Sequence, residues 1–408
     1  MTLTRTTADA VLKEFYLPGI RGTLNSKVFL LSQVEANEED VEGRRAVLAI
    51  NTGRNHGVGA RAEMGALPGA GRQGYSEQRV PLKYNYGRIE ISGPTMRSMG
   101  SDRGSFTRAV QSETEGVVRD LRNDYNRQLF GLGTGQIATL SVSSSSTTVT
   151  VTAATRTQMR QIQVGMVVDA GTVANPTASF AARTITSVNV SAGTFVISGA
   201  AASVTAGHLL FRAGAGGSGA DQKEVTGLQA QIAASGALFN IDPATAPTWA
   251  SYVDSNSGTP RAVTEAMFIR AQQEVNINSG EEINLWVTDD GVHRNTAALL
   301  TSIKRFPGTT ELSGGYSALD MSSVSQGMDG GNQVGMYYDK DCPTGQAFGL
   351  TTRRIQHYRM SDWEFMDEDG AILNRVPNTD AYEATLFCYS ELATDARNAH
   401  CKIVDLTS

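Results

Sequence analysis

Residues 105–140 read SFTRAVQSETEGVVRDLRNDYNRQLF-GLGTGQIATL, and two periodicities meet inside them. Phe106, Val110, Val117, Leu121, Tyr125 and Leu129 recur on one helical face. The spacing predicts a helix over 105–130, with Ser105 as N-cap and Gly131 just past its end. At 1.5 Å per residue such a helix is roughly 39 Å long. Its other face carries Arg108, Glu115, Arg119, Asp120, Arg122 and Arg127, of which Arg119 and Arg127 are candidates to meet a neighbouring chain. After the glycines at 131, 133 and 135 the apolar period falls from near four to two.

Downstream, residues 137–213 hold 23 Ser and Thr but only five charges, Arg156, Arg160, Asp169, Arg183 and Arg212. LSVSSSSTTVTVT, ARTITSVNV and GTFVISG alternate as short strands, and turn residues return about every 8–12 positions. This predicts a small all-β barrel or sandwich inserted into a mixed chain, closed by the glycine-rich joint 214–224.

Upstream, 46–63 and 75–92 read as the two arms of a long hairpin, with GALPGAGRQG at 65–74 as its tip. A two-stranded ribbon of that length is marginal in water and needs a partner surface. It is basic: Arg54, Arg61, Arg72, Arg79, Lys83 and Arg88 stand against Glu63, Glu77 and Glu90. Before it, 1–45 form an arm with two weak elements, an amphipathic piece at Ala10, Val11, Phe15 and Leu17 and a mixed stretch from Lys27 to Val34.

Residues 225–408 return to mixed α/β. Thr259-Pro260 is placed to open a helix through Val263, Met267, Ala271 and Val275. NLWVT at 284–288 is a buried strand, and Asp289 or Asp290 caps the next helix, ended by Pro307. QVGMYYD and AFGLTTRRIQHYR are further strands, WEFMDEDGAIL a hairpin about Asp369-Gly370, and 382–389 a long apolar strand.

Over 408 residues the formal charge is -6 and charged side chains make up 19%. An acidic chain is unlike a general nucleic-acid binder. Scarce charge fits β-rich structure or surface hidden in subunit contacts. Cys342, Cys388 and Cys401 are far apart and form no CxxC, so neither a zinc ribbon nor a disulfide framework is indicated. MTLTRTTADAVLKEF lacks the apolar core of a secretory signal, and no run of 18 apolar residues occurs.

The catalytic motifs fail on context. Gly69–Gly74 and Gly214–Gly219 both fit GxGxxG, yet neither links a strand to a helix. No Gly-Lys pair, GxSxG or HExxH occurs, and the five histidines are scattered. The acids at 367–369 suit a turn better than a cation, and His400-Cys401 would face opposite ways in a strand. No catalytic, cofactor or metal site is expected. A long chain with a protruding arm, a protruding hairpin and an inserted β domain reads as a structural subunit.

DLRNDYNRQLFGLGTGQIATL (120–140), AEMGALPGAGRQGYSEQRVPLKYNYGRIEISG (62–93), and the tail from CPTGQAFG through WEFMDEDGAIL to YEATLFCYSELATDARNAHCKI resemble HK97-type major capsid proteins of tailed bacteriophages. The resemblance covers nearly the whole chain and implies an α+β, HK97-like capsid fold. It assigns 1–45 to an N-arm, 46–95 to an E-loop hairpin, 96–136 to a P-domain with its spine helix and 137–213 to the inserted β domain. It then assigns 214–224 to a linker, 225–345 to an A-domain, 346–399 to the rest of the P-domain and 400–408 to a final A-domain strand.

The same resemblance implies hexamers and pentamers tiling an icosahedral shell around packaged double-stranded DNA, held without sequence specificity. It implies a virion location, assembly in a host bacterial cytoplasm, no membrane, and portal, decoration and scaffolding proteins as partners. The expected inter-subunit contacts are Leu67, Pro68, Arg72, Tyr75, Arg79, Lys83, Arg119 and Arg127. Gly87 and Gly93 are expected bending points. The E-loop tip has no lysine, so the covalent cross-linking of some relatives is not expected, and 45 residues are too few for a cleaved helical scaffold. Two other readings remain: a cargo-enclosing shell of the encapsulin type, and a β-rich surface-binding module or glycan-active enzyme. The last needs two carboxylates in one groove, and 137–213 contains Asp169 alone.

Overall fold

The computed structural model describes residues 28–94, 103–153, 155–303, 309–312, 316–320, 334–367 and 372–408. The chain divides into two compact units. Unit 1 takes the chain up to Glu38, Leu82–Thr226 and His357–Glu391; unit 2 takes Glu39–Pro81, Gly227–Gln356 and Leu392–Ser408. The amphipathic piece near residue 10, the helix stop at Pro307 and the turn at Asp369-Gly370 lie outside the described residues.

Unit 1 is built on the helix Arg103–Phe130, 28 residues long. It starts before Ser105, which is therefore inside the helix and not its cap. Gly131 ends it with a backbone N–H to the Gln128 carbonyl, 2.9 Å, without a positive φ. Beneath the helix lies a five-stranded sheet whose centre is Ala381–Thr394, paired antiparallel with Lys83–Ser92 from Ser390↔Lys83 to Ala381↔Ser92. Lys83, Asn85, Gly87 and Ile89 face inward while Tyr84, Tyr86, Arg88 and Glu90 face out, the period-2 pattern of a half-buried strand. A Cβ at Gly87 would lie 2.5 Å from Leu121 Cδ1 and 2.8 Å from Val117 Cγ1. Gly87 is thus a close-approach site for the helix. Gly93 donates its N–H to the Asp380 carbonyl at 2.6 Å.

The inserted domain is a closed barrel, which decides between the two expected forms. Six strands follow the order Gln136–Thr139, Leu209–Arg212, Val167–Gly171, Phe180–Asn189, Thr194–Ile197, Thr148–Thr150. The two ends of that order meet through the antiparallel Leu140↔Val151 bridge, with Ser141 N donating to Thr150 O at 2.9 Å and Thr152 N to Thr139 O at 2.8 Å. Closure leaves no open edge. Val149, Phe180, Ile185, Phe195 and Leu210 fill the interior. The short helix Arg156–Gln161 adds Met159 to that core and starts with a capping box between Thr155 and Gln158.

Unit 2 centres on a seven-stranded mixed sheet in the order Tyr252–Asp254, Cys401–Ile403, Ala347–Leu350, Leu285–Thr288, Gly335–Tyr338, Tyr316–Asp320, Thr309–Leu312. Leu285–Thr288 is buried on both faces, as its apolar run predicts. Ala347–Leu350 pairs with it and with Cys401–Ile403. This strand therefore shares one sheet with Leu285–Thr288 and Cys401–Ile403, and unit 2 runs on to Gln356 before the chain enters unit 1. AFGLTTRRIQHYR is not one strand: a 3-10 turn at Thr352–Arg354 divides Ala347–Leu350 from Ile355–Phe365. The first helix is Glu265–Ser279 with Thr264 at its N-cap, so Thr259-Pro260 lies ahead of it. Asp289, not Asp290, caps the second helix, Asp290–Ile303: its Oδ1 accepts from Val292 N at 2.8 Å.

Candidate functional site

The expected hairpin exists, but its arms are shorter and it sits in unit 2. Arg45–Gly53 pairs antiparallel with Gly74–Pro81. Lys83–Ser92, read from sequence as the continuation of the second arm, belongs to the unit 1 sheet. The chain alternates through Pro81 without a visible break in pattern, so only strand pairing separates the two stretches. The inner face of the hairpin is docked within unit 2. Ile50 packs on Ile241, Ala246 and Trp249. Gln78 Nε2 donates to the Thr394 carbonyl at 2.9 Å, and Arg79 N to the Phe239 carbonyl at 3.0 Å. The expectation of a ribbon unsupported along its length is corrected: the strands are anchored, and the part without a parent surface is the loop 54–73.

That loop is shaped rather than slack. Asn55 Oδ1 accepts from Gly57 N at 2.7 Å, and a Cβ at Gly57 would lie 2.7 Å from Gly71 N, so the two legs touch backbone to backbone. Beyond this neck, Arg61 Nε donates to the Ala66 carbonyl at 3.1 Å and Nη1 to the Ala60 carbonyl at 2.9 Å. Gly65 N donates to the Ala62 carbonyl at 2.9 Å, with Met64 in the left-handed region at φ 63°. Val58, Met64 and Leu67 stand 83%, 101% and 86% exposed, and Tyr75 at the strand end 68%.

Of the eight expected contact residues, Leu67, Arg72, Tyr75 and Arg79 are exposed on this hairpin and Pro68 is half-buried. Arg79 makes a two-pronged ion pair with Glu77, both bonds 2.9 Å, which holds its guanidinium on the outer face. Arg119 is exposed on the long helix, 3.6 Å from Asp120. Lys83 and Arg127 are different: both are buried in unit 1. Lys83 Nζ donates to the Gln222 carbonyl at 2.5 Å, and burial holds its pKa below the ordinary lysine value despite nearby Glu391.

Arg127 lies between Glu224, 2.5 Å from Nη2, and Asp124, 3.2 Å from Nε. Asp124 also receives Arg212 at 2.9 Å and Gln128 Nε2 at 3.0 Å, and Gln128 Oε1 accepts from Val225 N at 3.2 Å. This network ties the last turn of the long helix to the chain leaving the barrel. Burial opposes charge at Asp124, but Arg127 and Arg212 outweigh it and hold the carboxylate below its ordinary pKa. Lys83 and Arg127 carry no sequence signal of burial. Val58 and Met64 do carry a signal of an apolar exposed tip: they are apolar side chains in a glycine-rich loop.

Among the described residues, no group of three or more His, Cys, Asp or Glu is arranged to hold a metal ion. The three cysteines are buried thiols; burial pushes Cys388 up to about 12 and raises Cys342 and Cys401 as well. Burial likewise pushes His357 down to about 4 and His400 to about 3, so neither is charged near neutrality. Asp169, the lone carboxylate of the barrel, accepts from Ala182 N at 2.7 Å and Gly214 N at 2.8 Å and so serves the fold. No described helix is long and apolar enough to cross a membrane.

No protein-family model matches the chain, and no curated protein sequence matches it. Solved structures do. The capsid asymmetric unit of cyanophage A-1(L) matches over 94% of this chain and 93% of its own, with a TM-score of 0.56 and 14% identity. The capsid of Myoviridae phage XM1 covers 93% of this chain and 92% of its own at 10% identity, TM-score 0.48. The holo-SrpI encapsulin complex from Synechococcus elongatus PCC 7942 covers 93% and 87% at 8% identity, TM-score 0.48. The first of these shows that the chain has an HK97-like, capsid-type α+β fold.

Proposed function

We propose that this chain is the subunit of a self-assembling protein shell, a major capsid protein whose hexamers and pentamers tile an icosahedron around double-stranded DNA. The observation that carries the proposal is the likeness to a phage capsid subunit over 94% of this chain and 93% of the other. The exposed apolar hairpin tip supports it, because a chain that functioned alone would gain nothing from Val58, Met64 and Leu67 in water. Leu67, Pro68, Arg72, Tyr75, Arg79 and Arg119 are the surface from which contacts between copies are drawn. Scaffolding, portal and decoration proteins belong to the same reading.

The test is expression of the full chain, followed by sedimentation velocity and negative-stain imaging. Closed particles of uniform size with five- and six-fold clusters are expected, and nuclease-protected DNA in particles from infected cells. A monomer at high concentration would sink the proposal, and particles filled with protein cargo would replace it with a cargo compartment. Boiled particles should run as single chains on a denaturing gel, since the hairpin tip has no lysine and Lys83 is buried.

A further inference from the structure

We infer that the open edge of Lys83–Ser92 in unit 1 pairs with the same edge of a second copy of this chain, antiparallel about a two-fold axis at Ile89. The inference deepens the shell reading and rests on it, since an icosahedral shell holds two-fold axes at which copies meet as equals.

Lys83–Ser92 is ten residues long and ends one side of its sheet. Ala381–Thr394 is its one strand partner among the described residues, paired from Ser390↔Lys83 to Ala381↔Ser92 without a register shift. Its second row of peptide groups therefore meets no described strand. By contrast, the end strands Glu35–Asn37 of the same sheet, and Tyr252–Asp254 and Thr309–Leu312 of the unit 2 sheet, are three or four residues long. Proteins blunt a long edge with proline, a bulge or an outward lysine. Lys83–Ser92 has no proline and no bulge, and its lysine, Lys83, points inward and is buried. A long, regular and unguarded edge is a template for another strand.

Symmetry and charge name that strand. Opposite residues in an antiparallel pair lie on the same face of the sheet. A two-fold axis normal to the sheet keeps the two outer faces together, so it passes through a residue and not between two. An axis at Arg88 sets Arg88 against its own copy. An axis at Gly87 sets Arg88 against Tyr86 and Glu90 against Tyr84, with no charge pair. An axis at Ile89 sets Arg88 against Glu90 of the second copy, and Glu90 against Arg88 of the second copy, two opposite-charge pairs on the exposed face. On the inner face Ile89 then meets its own copy and Gly87 meets Ile91.

Within one chain, Glu90 stands directly across from Glu383, like charge against like. Arg88 serves both: it pairs with Glu383 and lies 3.8 Å from Glu90. The side chains of Arg88 and Glu90 are both more than half exposed, so a neighbour can reach them. The second copy gives Glu90 a cation directly opposite. A strand of another protein would offer the same peptide groups, but not the matched charges that this edge carries for itself.

The experiment uses the full chain and has two arms. Chains with Arg88→Cys and chains with Glu90→Cys, tagged to differ in mass, are mixed in equal amounts, assembled and oxidised. Cys342, Cys388 and Cys401 are buried, so the introduced thiols are the ones that react. A mixed pair also keeps one native Arg88–Glu90 contact. Mixed disulfide dimers are expected to exceed like-with-like dimers at least fivefold. In the second arm, Arg88→Glu and Glu90→Arg each set like charges across the axis, and each is expected to raise the concentration needed for assembly at least tenfold. The double exchange restores the pairs and should return to within threefold of wild type. Melts of the dilute chains accompany this arm, and if a single exchange unfolds the chain the disulfide arm decides. Like-with-like dimers as abundant as mixed ones, disulfides to another protein, folded single exchanges that assemble as wild type, or a double exchange no better than the singles would overturn the inference. Shells without mixed disulfides would sink it and leave the shell proposal standing. Mixed dimers that never build shells would do the reverse, and the absence of both would end both.

Discussion

The hydroxyl of Tyr125 lies 2.8 Å from Nε2 of His357, and both groups are buried in unit 1. The same hydroxyl is 2.8 Å from Ser390 Oγ, and the Trp363 ring stands edge-on to Tyr125 at 5.7 Å. One helix residue thus joins two strands of the sheet, Ile355–Phe365 and Ala381–Thr394, and sets the register of the helix upon them. Replacing the pin by Tyr125→Phe leaves two buried polar groups without this partner. The expected loss is about 1–3 kcal/mol in urea unfolding. A loss below experimental error would mean that packing alone sets the register.

The His357 contact carries a pH dependence. Burial, then the charge of Arg359, pushes its folded pKa down to about 4, against roughly 6.5 in an unfolded chain. The folded state thus binds fewer protons than the unfolded one between these values. The associated stability is fully present above pH ~6.5 and is lost as pH falls toward about 4, on the order of 3 kcal/mol. His400, in unit 2 and 2.9 Å from Thr394 Oγ1, is pushed down to about 3 by burial and adds a second loss of the same sign. His357→Gln should therefore reduce, without abolishing, the slope of urea midpoints between pH 6.5 and 4. An unchanged slope would show that other groups control acid unfolding.

Gly87 sets how closely the long helix approaches its sheet. Gly87→Ala places a methyl 2.5 Å from Leu121 Cδ1, and a cost of about 1–3 kcal/mol is expected. Adding Leu121→Ala vacates that space, so the double variant should lose less than the sum of the two single changes. Strict additivity in thermal melts would mean the two residues do not meet.

Arg127 is the centre of the buried charge network at the helix end. Arg127→Met leaves Glu224 facing Asp124 without its cation, and a loss of about 3–5 kcal/mol is expected. Arg127→Met with Glu224→Met removes both charges of the short pair and should recover a large part of that loss, Asp124 retaining Arg212. A double variant as unstable as the single one would show that the penalty is not an unpaired carboxylate.

The barrel should behave as a module. Gln136 pairs with Phe211, so its first and last strands lie side by side and a few glycines can bridge them. Replacing 137–211 by such a bridge should leave a cooperative melt for the rest of the chain, and residues 135–215 alone should melt cooperatively. If the excised chain fails to fold and the fragment also lacks a transition, the barrel core depends on the rest of unit 1.

The amino-acid order determined what depends on near neighbours. Helix period at Val117, Leu121, Tyr125 and Leu129, strand alternation in Lys83–Ser92, the buried run Leu285–Thr288 and the charge-poor Ser/Thr-rich insertion are all local patterns, and each became the expected helix, strand or β domain. A set of side chains on one face is visible in sequence because backbone geometry repeats it. What faces that set is not visible. Only the tertiary structure decided that Lys83–Ser92 pairs with Ala381–Thr394 and is no part of the hairpin, that Leu140 meets Val151 and closes a barrel, and that Arg127 and Lys83 are buried among carboxylates and carbonyls. Strand pairing and ion pairing join residues far apart in the chain, and their energies depend on distance and burial that no local period encodes. The left-handed turn at Met64 is of the same kind: the sequence shows an apolar residue among glycines, and only the folded loop, stapled by Arg61, holds it out into water.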